Sequence, residues 1–123
     1  MQVDPRRLCQ IEIPVHDLHQ AQSFYAAAFG WHAVPAELHR YVVLAVPDDC
    51  PYGISLVPQS STIGGRGPVL YFGVDAPETN VAAVERAGGK SRGGPVTLPG
   101  YGAMYLVEDP DGNRFGFYLK AGR

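Results

Sequence analysis

Cysteine is scarce in this chain. Cys9 and Cys50 are the two it has, and they lack the short spacing of a zinc site or a redox pair. A disulfide framework is excluded as the organising device, although one bond between the two remains open from sequence. Two free thiols in a reducing compartment, hence a cytoplasmic location, is the expectation. Charge of one sign is lacking too. Ten Lys and Arg stand against twelve Asp and Glu, a formal net charge of −2, and no basic run is longer than Arg6–Arg7. Nucleic-acid binding needs a positive field, so no nucleic-acid partner is expected. No apolar run approaches the roughly 20 residues of a membrane helix. The opening MQVDPRRLCQ has no apolar h-region, so neither a membrane partner nor a secretion signal is expected. The glycine runs Gly64–Gly67 and Gly93–Gly94 have no Lys-Ser/Thr and no strand-to-helix context, which excludes a phosphate loop.

What is present is enough apolar material for a core, 46% of 123 residues, in a length that suits one domain, residues 1–123. Ile11, Ile13 and Val15 alternate with Gln10, Glu12 and Pro14, the two-residue period of a strand. Asp17 can cap a helix with its carboxylate. Leu18, Ala21, Phe24, Tyr25, Ala28 and Phe29 then recur at helical spacing and read as one core-facing stripe, and Gly30 stops the helix. From Val69 the order returns. Val69–Val74 reads as a strand, Asp75 ends it, Pro77 suits a first helical turn, Val81, Val84 and Ala87 mark a helical face, and Gly88–Gly89 closes it. Strand-like runs follow each helix, at Ala33–Val34, Tyr41–Val46 and Ile54–Val57, and at Val96–Leu98, Met104–Val107 and Arg114–Leu119. Pro58–Pro68 reads as the joint between halves, and Asp109–Asn113 as a turn between the last two strands. The expectation is an internal repeat of pattern, residues 8–58 and 68–120, each half βαβββ.

Three stretches carry a resemblance. Ile11–Trp31 (IEIPVHDLHQAQSFYAAAFGW), Tyr71–Lys90 (YFGVDAPETNVAAVERAGGK) and Glu108–Tyr118 (EDPDGNRFGFY) together resemble the vicinal oxygen chelate (VOC) superfamily, which includes glyoxalase I, extradiol dioxygenases and the bleomycin and fosfomycin resistance proteins. The resemblance covers nearly the whole chain and is closest to the glyoxalase-like branch. It implies an α+β fold in which two βαβββ modules form a curved eight-stranded mixed sheet, a glyoxalase-like cup, and it implies a homodimer. The family's metal ligands sit at four inward positions, often His or Glu. These fall here on Gln10, Ser55, Val69 and Gly116. A divalent ion needs several converging donors, and Val69 and Gly116 offer none, so the expectation is a metal-free site with no cofactor.

Strand alternation puts Gln10 and Glu12 opposite Ile11, Ile13 and Val15, Tyr71 opposite Leu70 and Phe72, and Arg114 and Tyr118 opposite Phe115, Phe117 and Leu119. Each strand then has an apolar helix-facing side and a mixed aromatic and polar side, which is the chemistry of a ligand pocket. Gln10, Glu12, Ser55, Tyr71, Arg114 and Tyr118 are the candidate ligand-binding residues. Glu12 is the one catalytic candidate. It is either a structural carboxylate satisfied by a hydrogen bond or by Arg114, or a ligand-binding group or general base whose burial raises its pKa. Gly100-Tyr101-Gly102 reads as a flexible approach to the seventh strand, the kind of loop that can cover a pocket. His16, His19, His32 and His39 have no mutual spacing suited to a metal and read as solvated surface. The function expected is a small-molecule binding protein. The alternatives are an enzyme of the same superfamily (lyase, isomerase or dioxygenase type) acting on a small carbonyl or aromatic compound, and a protein that sequesters an antibiotic.

Overall fold

Alternation of aliphatic with polar residues makes the first strand, and a capped boundary ends it. The computed structural model describes residues 7–34, 41–59 and 67–122, and there β1 runs Arg7–Val15. Asp17, in an extended conformation, accepts the backbone N–H of Gln20 at 3.0 Å and opens α1, Leu18–Phe29. Gly30 closes α1 at φ +73° with its N–H on the carbonyl of Ala26, a left-handed position that glycine adopts without penalty. By contacts the chain divides into two compact units, Gln10–Pro68 and Val69–Arg123, the latter grouped with the chain up to Cys9.

In the N-terminal unit β1 is joined by β2 (Val42–Leu44) and β3 (Gly53–Pro58). β3 runs parallel to β1, setting Gln10 against Gly53 and Glu12 against Ser55. β2 runs antiparallel to β3, with Val43 against Ser55. On one face, Leu44, Ile54 and Leu56 form a buried cluster packed by Ile11, Ile13 and Val15 of β1 and by Leu18, Ala21 and Tyr25 of α1. Each such aliphatic side chain withdrawn from water contributes roughly 1.5–3 kcal/mol, so this face holds the helix on the strands.

In the C-terminal unit β4 (Val69–Gly73) pairs in parallel with β8 (Arg114–Lys120), and β8 pairs antiparallel with β7 (Gly102–Glu108). Two short strands, β5 (Lys90–Ser91) and β6 (Val96–Leu98), pair antiparallel with β7. α2 (Pro77–Arg86), with Pro77 in its first turn, packs on β5, β7 and β8. The turn into β8 is organised by Asp109, whose carboxylate accepts the N–H groups of Asp111 and Asn113 and the Asn113 side-chain amide. Those donors hold its pKa below the usual carboxylate value. Among the described residues, eight strands in mixed pairing and two helices make an α+β fold, as the sequence pattern implies.

Three expectations need correction. Ala33–Val34 is not a strand; Ala33 makes a single bridge to Leu44, and the proline at 35 has no N–H with which to extend a ladder. β5 was not anticipated, because two polar residues after a double glycine carry no hydrophobic period. The apolar residues of α1 do not all face the core. Phe24 is 56% and Phe29 55% exposed, and Ala28 is exposed with them. Leu18, Ala21 and Tyr25 form the packed stripe, and helical spacing alone does not say which part of a broad apolar arc meets the strands. His39 and the Pro58–Pro68 joint with its Gly64–Gly67 run fall wholly or largely outside the described residues.

Gly116 sits in β8 opposite Tyr71 in β4. A Cβ there would overlap Cδ1 and Cε1 of the fully buried Tyr71 ring. Gly116→Ala is expected to lower stability by about 1–3 kcal/mol through overpacking. Urea unfolding would show a lower midpoint at unchanged slope; an unchanged midpoint would mean that the ring does not occupy this place.

Candidate functional site

The face of the N-terminal unit turned away from α1 carries the polar residues. Because β1 and β3 are in parallel register, Glu12 and Ser55 project side by side from it, with Gln10 and Gly53 one row away. Gln10 donates from Nε2 to the Ser55 hydroxyl at 2.8 Å. Its amide oxygen lies over Gly53, only 2.6 Å from where a Cβ would stand. The missing side chain at 53 is what gives the Gln10 amide its room.

Glu12 is 0% exposed. A carboxyl group taken wholly out of water is costly unless other groups replace its hydration. One such group is Tyr41, whose half-buried phenol stands close enough to Glu12 to feel its charge and to serve as a hydrogen-bonding partner. Burial, the Glu12 charge and that hydrogen bond together push the Tyr41 pKa well above its ordinary value of 10. Tyr41 was not singled out from sequence. Its signal was the alternation in the run Tyr41–Val46, which puts Tyr41 with Val43 on the Ser55 side of β2 once the register is known.

Tyr71, Arg114 and Tyr118 come together on one face of the C-terminal unit. Tyr105, on the other side of β7, donates its hydroxyl to Glu78 of α2 at 3.0 Å. The register Tyr105–Phe117–Phe72 therefore marks the helix-facing side, and Gly116 with Tyr71, and Tyr118 with Met104, mark the opposite one. Tyr71 is buried, and its backbone carbonyl takes the Cys9 thiol at 3.4 Å. Burial raises the Cys9 pKa, partly offset by its own backbone hydrogen bond. Arg114 is half-buried, opposite Glu108 in the ladder. Tyr118 donates its hydroxyl to the carbonyl of Tyr101, and burial, with Cys9 and Tyr101 nearby, raises its pKa. The Gly100-Tyr101-Gly102 segment is a hydrogen-bonded turn: the Tyr101 N–H reaches Leu98 and its carbonyl also accepts Ala121 N–H.

The positions that the family resemblance assigns to metal ligands do not fit a divalent ion. Gln10 and Ser55 are bonded to each other, Val69 is a buried hydrocarbon, and the place of a side chain at Gly116 is taken by the Tyr71 ring. Among the described residues no three His, Cys, Asp or Glu side chains gather in one place. His16, His19 and His32 are exposed.

The sequence profile of the Glyoxalase/Bleomycin resistance protein/Dioxygenase superfamily matches residues 7–117. A "Glyoxylase-like domain-containing protein" of Didymella fabae is 26% identical over 121 residues, 92% of this chain and 93% of that protein. Methylmalonyl-CoA epimerase of Streptomyces coelicolor, solved with 2-nitronate-propionyl-CoA, superposes with a TM-score of 0.73 at 20% identity, over 94% of this chain and 95% of that one. The Mycobacterium tuberculosis methylmalonyl-CoA epimerase superposes with a TM-score of 0.70 at 23% identity, over 93% and 87%. These structural likenesses establish the fold.

The Glu12–Tyr41 contact has a pH signature. The folded protein holds the Tyr41 proton more tightly than the unfolded chain does, so this stabilisation is whole below pH 10 and is lost as pH rises through the raised folded value. Tyr41→Phe is expected to cost about 1–3 kcal/mol at pH 8 by withdrawing a donor from a buried carboxyl group. Unfolding measured between pH 8 and pH 11 should show the gap between wild type and variant narrowing. A gap that is constant or widens would contradict the burial of the Tyr41 phenol beside Glu12.

Proposed function

We propose, from the premise that the chain belongs to the Glyoxalase/Bleomycin resistance protein/Dioxygenase superfamily, that it is a metal-free small-molecule binding protein. Its ligand-binding groups in the N-terminal unit are Gln10, Glu12 and Ser55, and Tyr71, Arg114 and Tyr118 are the candidates that the C-terminal unit carries on a face of its own. The observation that carries this reading is the burial of Glu12, at 0% exposure, beside the Tyr41 hydroxyl and the Gln10–Ser55 pair, on a face that α1 does not use. Hydrogen-bonding groups placed there contribute nothing to helix packing. They suit a small polar ligand, with the carboxyl group as acceptor and the Gln10 amide and Tyr41 hydroxyl as adjustable partners. Fold membership alone does not choose a function, so the weight rests on these side chains.

A second reading is an enzyme of the superfamily. A carboxylate beside a phenol is an acid–base pair, and Glu12 would take a proton from the carbon next to a carbonyl while Tyr41 or Gln10 steadied the resulting oxyanion. The fold is shared with methylmalonyl-CoA epimerases, which supports this reading in kind without supplying its substrate. A cytoplasmic location is proposed on the two free thiols, and among the described residues no helix is long and apolar enough to cross a membrane. A homodimer is proposed on the exposed aromatic side chains of α1.

The test is a calorimetric screen of small carbonyl and aromatic compounds against wild type and Glu12→Gln. A ligand that saturates at one per chain and binds the variant at least tenfold more weakly (about 1.4 kcal/mol), with the variant still folded, is expected. Equal affinity in the two proteins would remove Glu12 from the site. Chromatography of the same mixtures separates the readings: binding without product supports the first, turnover lost in Glu12→Gln the second. Elemental analysis of the purified protein should find well under one equivalent of Zn, Ni, Mn or Fe, and light scattering a particle of about twice the 13.3 kDa chain mass. One equivalent of metal removed together with binding by a chelator would contradict the metal-free assignment, and a single 13.3 kDa particle the dimer.

A further inference from the structure

We infer that the N-terminal unit holds a second small-molecule site, on the helix-facing side of its strands, that takes a small aromatic ammonium ion. A cavity of about 410 Å³ opens there, walled by Ile11, Ile13, Ile54 and Trp31 and bounded by Asp49 and Cys50. Strand alternation turns Ile11, Ile13 and Ile54 away from Gln10, Glu12 and Ser55, so this cavity and the Glu12 face lie on opposite sides of the same strands. The inference is therefore independent of the proposed function.

Three features select the occupant. The size falls in the roughly 300–1,000 Å³ range of small-molecule sites, and the walls are mainly hydrocarbon, which suits a flat apolar body. Trp31 is held in place by stacking. Its ring lies 4.6 Å from that of Phe29 at 24° and 5.8 Å from that of Tyr25 at 12°, so the indole is presented to the cavity with little freedom left to lose. The charged residue that lines it is Asp49, which exposed Asp48 precedes in the chain, and no Lys, Arg or His is among the described residues that line it. An ammonium group is attracted to that carboxylate and to the indole face, and a carboxylate-bearing ligand is repelled. The Cys50 thiol donates to the Tyr52 carbonyl at 3.3 Å, a local contact just before β3 that leaves a chemically addressable sulfur among the lining residues.

Trp31 is the single tryptophan of the chain, so its emission reports on the cavity. Phenethylammonium chloride should change that emission saturably at millimolar concentration or below, and 3-phenylpropionate, of similar size and opposite charge, should bind at least tenfold more weakly. Asp49→Asn, a change at an exposed residue, should remove most of that preference while leaving the melting temperature in place. Phenethylammonium should also slow alkylation of Cys50 by N-ethylmaleimide, read by peptide mass spectrometry, without slowing that of Cys9. An emission that does not saturate, equal binding of the two ions, a preference retained in Asp49→Asn, or an unprotected Cys50 would each overturn the assignment.

Discussion

A carboxyl group with no exposure to water, set in the middle of a strand, constrains everything around it. Glu12 stays inside the fold because polar partners replace its hydration, Tyr41 among them, and leaving such a group unsatisfied costs several kcal/mol. The requirement fixes the register of β1. A slip of one residue would carry Glu12 beneath α1 into the Leu44–Ile54–Leu56 cluster and send Ile11 and Ile13 to the polar side. With β1 fixed, the parallel ladder sets Ser55 beside Glu12, and the antiparallel one brings Val43, and with it Tyr41, to the same face.

The same economy of space shapes the C-terminal unit by different means. There the position that the resemblance assigns to a metal-binding side chain is Gly116, and the Tyr71 ring lies where any side chain would have to go. One unit thus carries a carboxylate, an amide and two hydroxyls, and the other an aromatic ring packed on a bare strand. The scaffold is that of a superfamily with varied chemistry, and substitutions of this kind redirect a site without disturbing the strands that carry it.

Much of the fold was legible because local signals agreed. β1 and α1 were announced by alternation, an aspartate cap and a glycine stop, and Asp109–Asn113 by its turn residues, all of which the structure contains. The candidate residues sort onto shared faces because alternation has a period of two: Gln10, Glu12 and Ser55 in one unit, Tyr71, Arg114 and Tyr118 in the other. What stayed hidden depends on long-range placement. Tyr41 became a partner of Glu12 only through the register of β2 on β3. The exposure of Phe24 and Phe29 depends on which part of the α1 arc meets the strands, and the Trp31 cavity on how the loop around Cys50 folds back.

The pairing of Glu12 with Tyr41 is most directly measured by a double-mutant cycle in urea unfolding at pH 8, using Glu12→Gln, Tyr41→Phe and the combined variant. If the phenol is what compensates the buried carboxyl group, the two single losses overlap, and the combined variant should be more stable than their sum by about 0.5–3 kcal/mol, the range for residues in contact. Losses that simply add, within about 0.3–0.5 kcal/mol as for independent sites, would contradict the contact and with it the reason for the arrangement of this face.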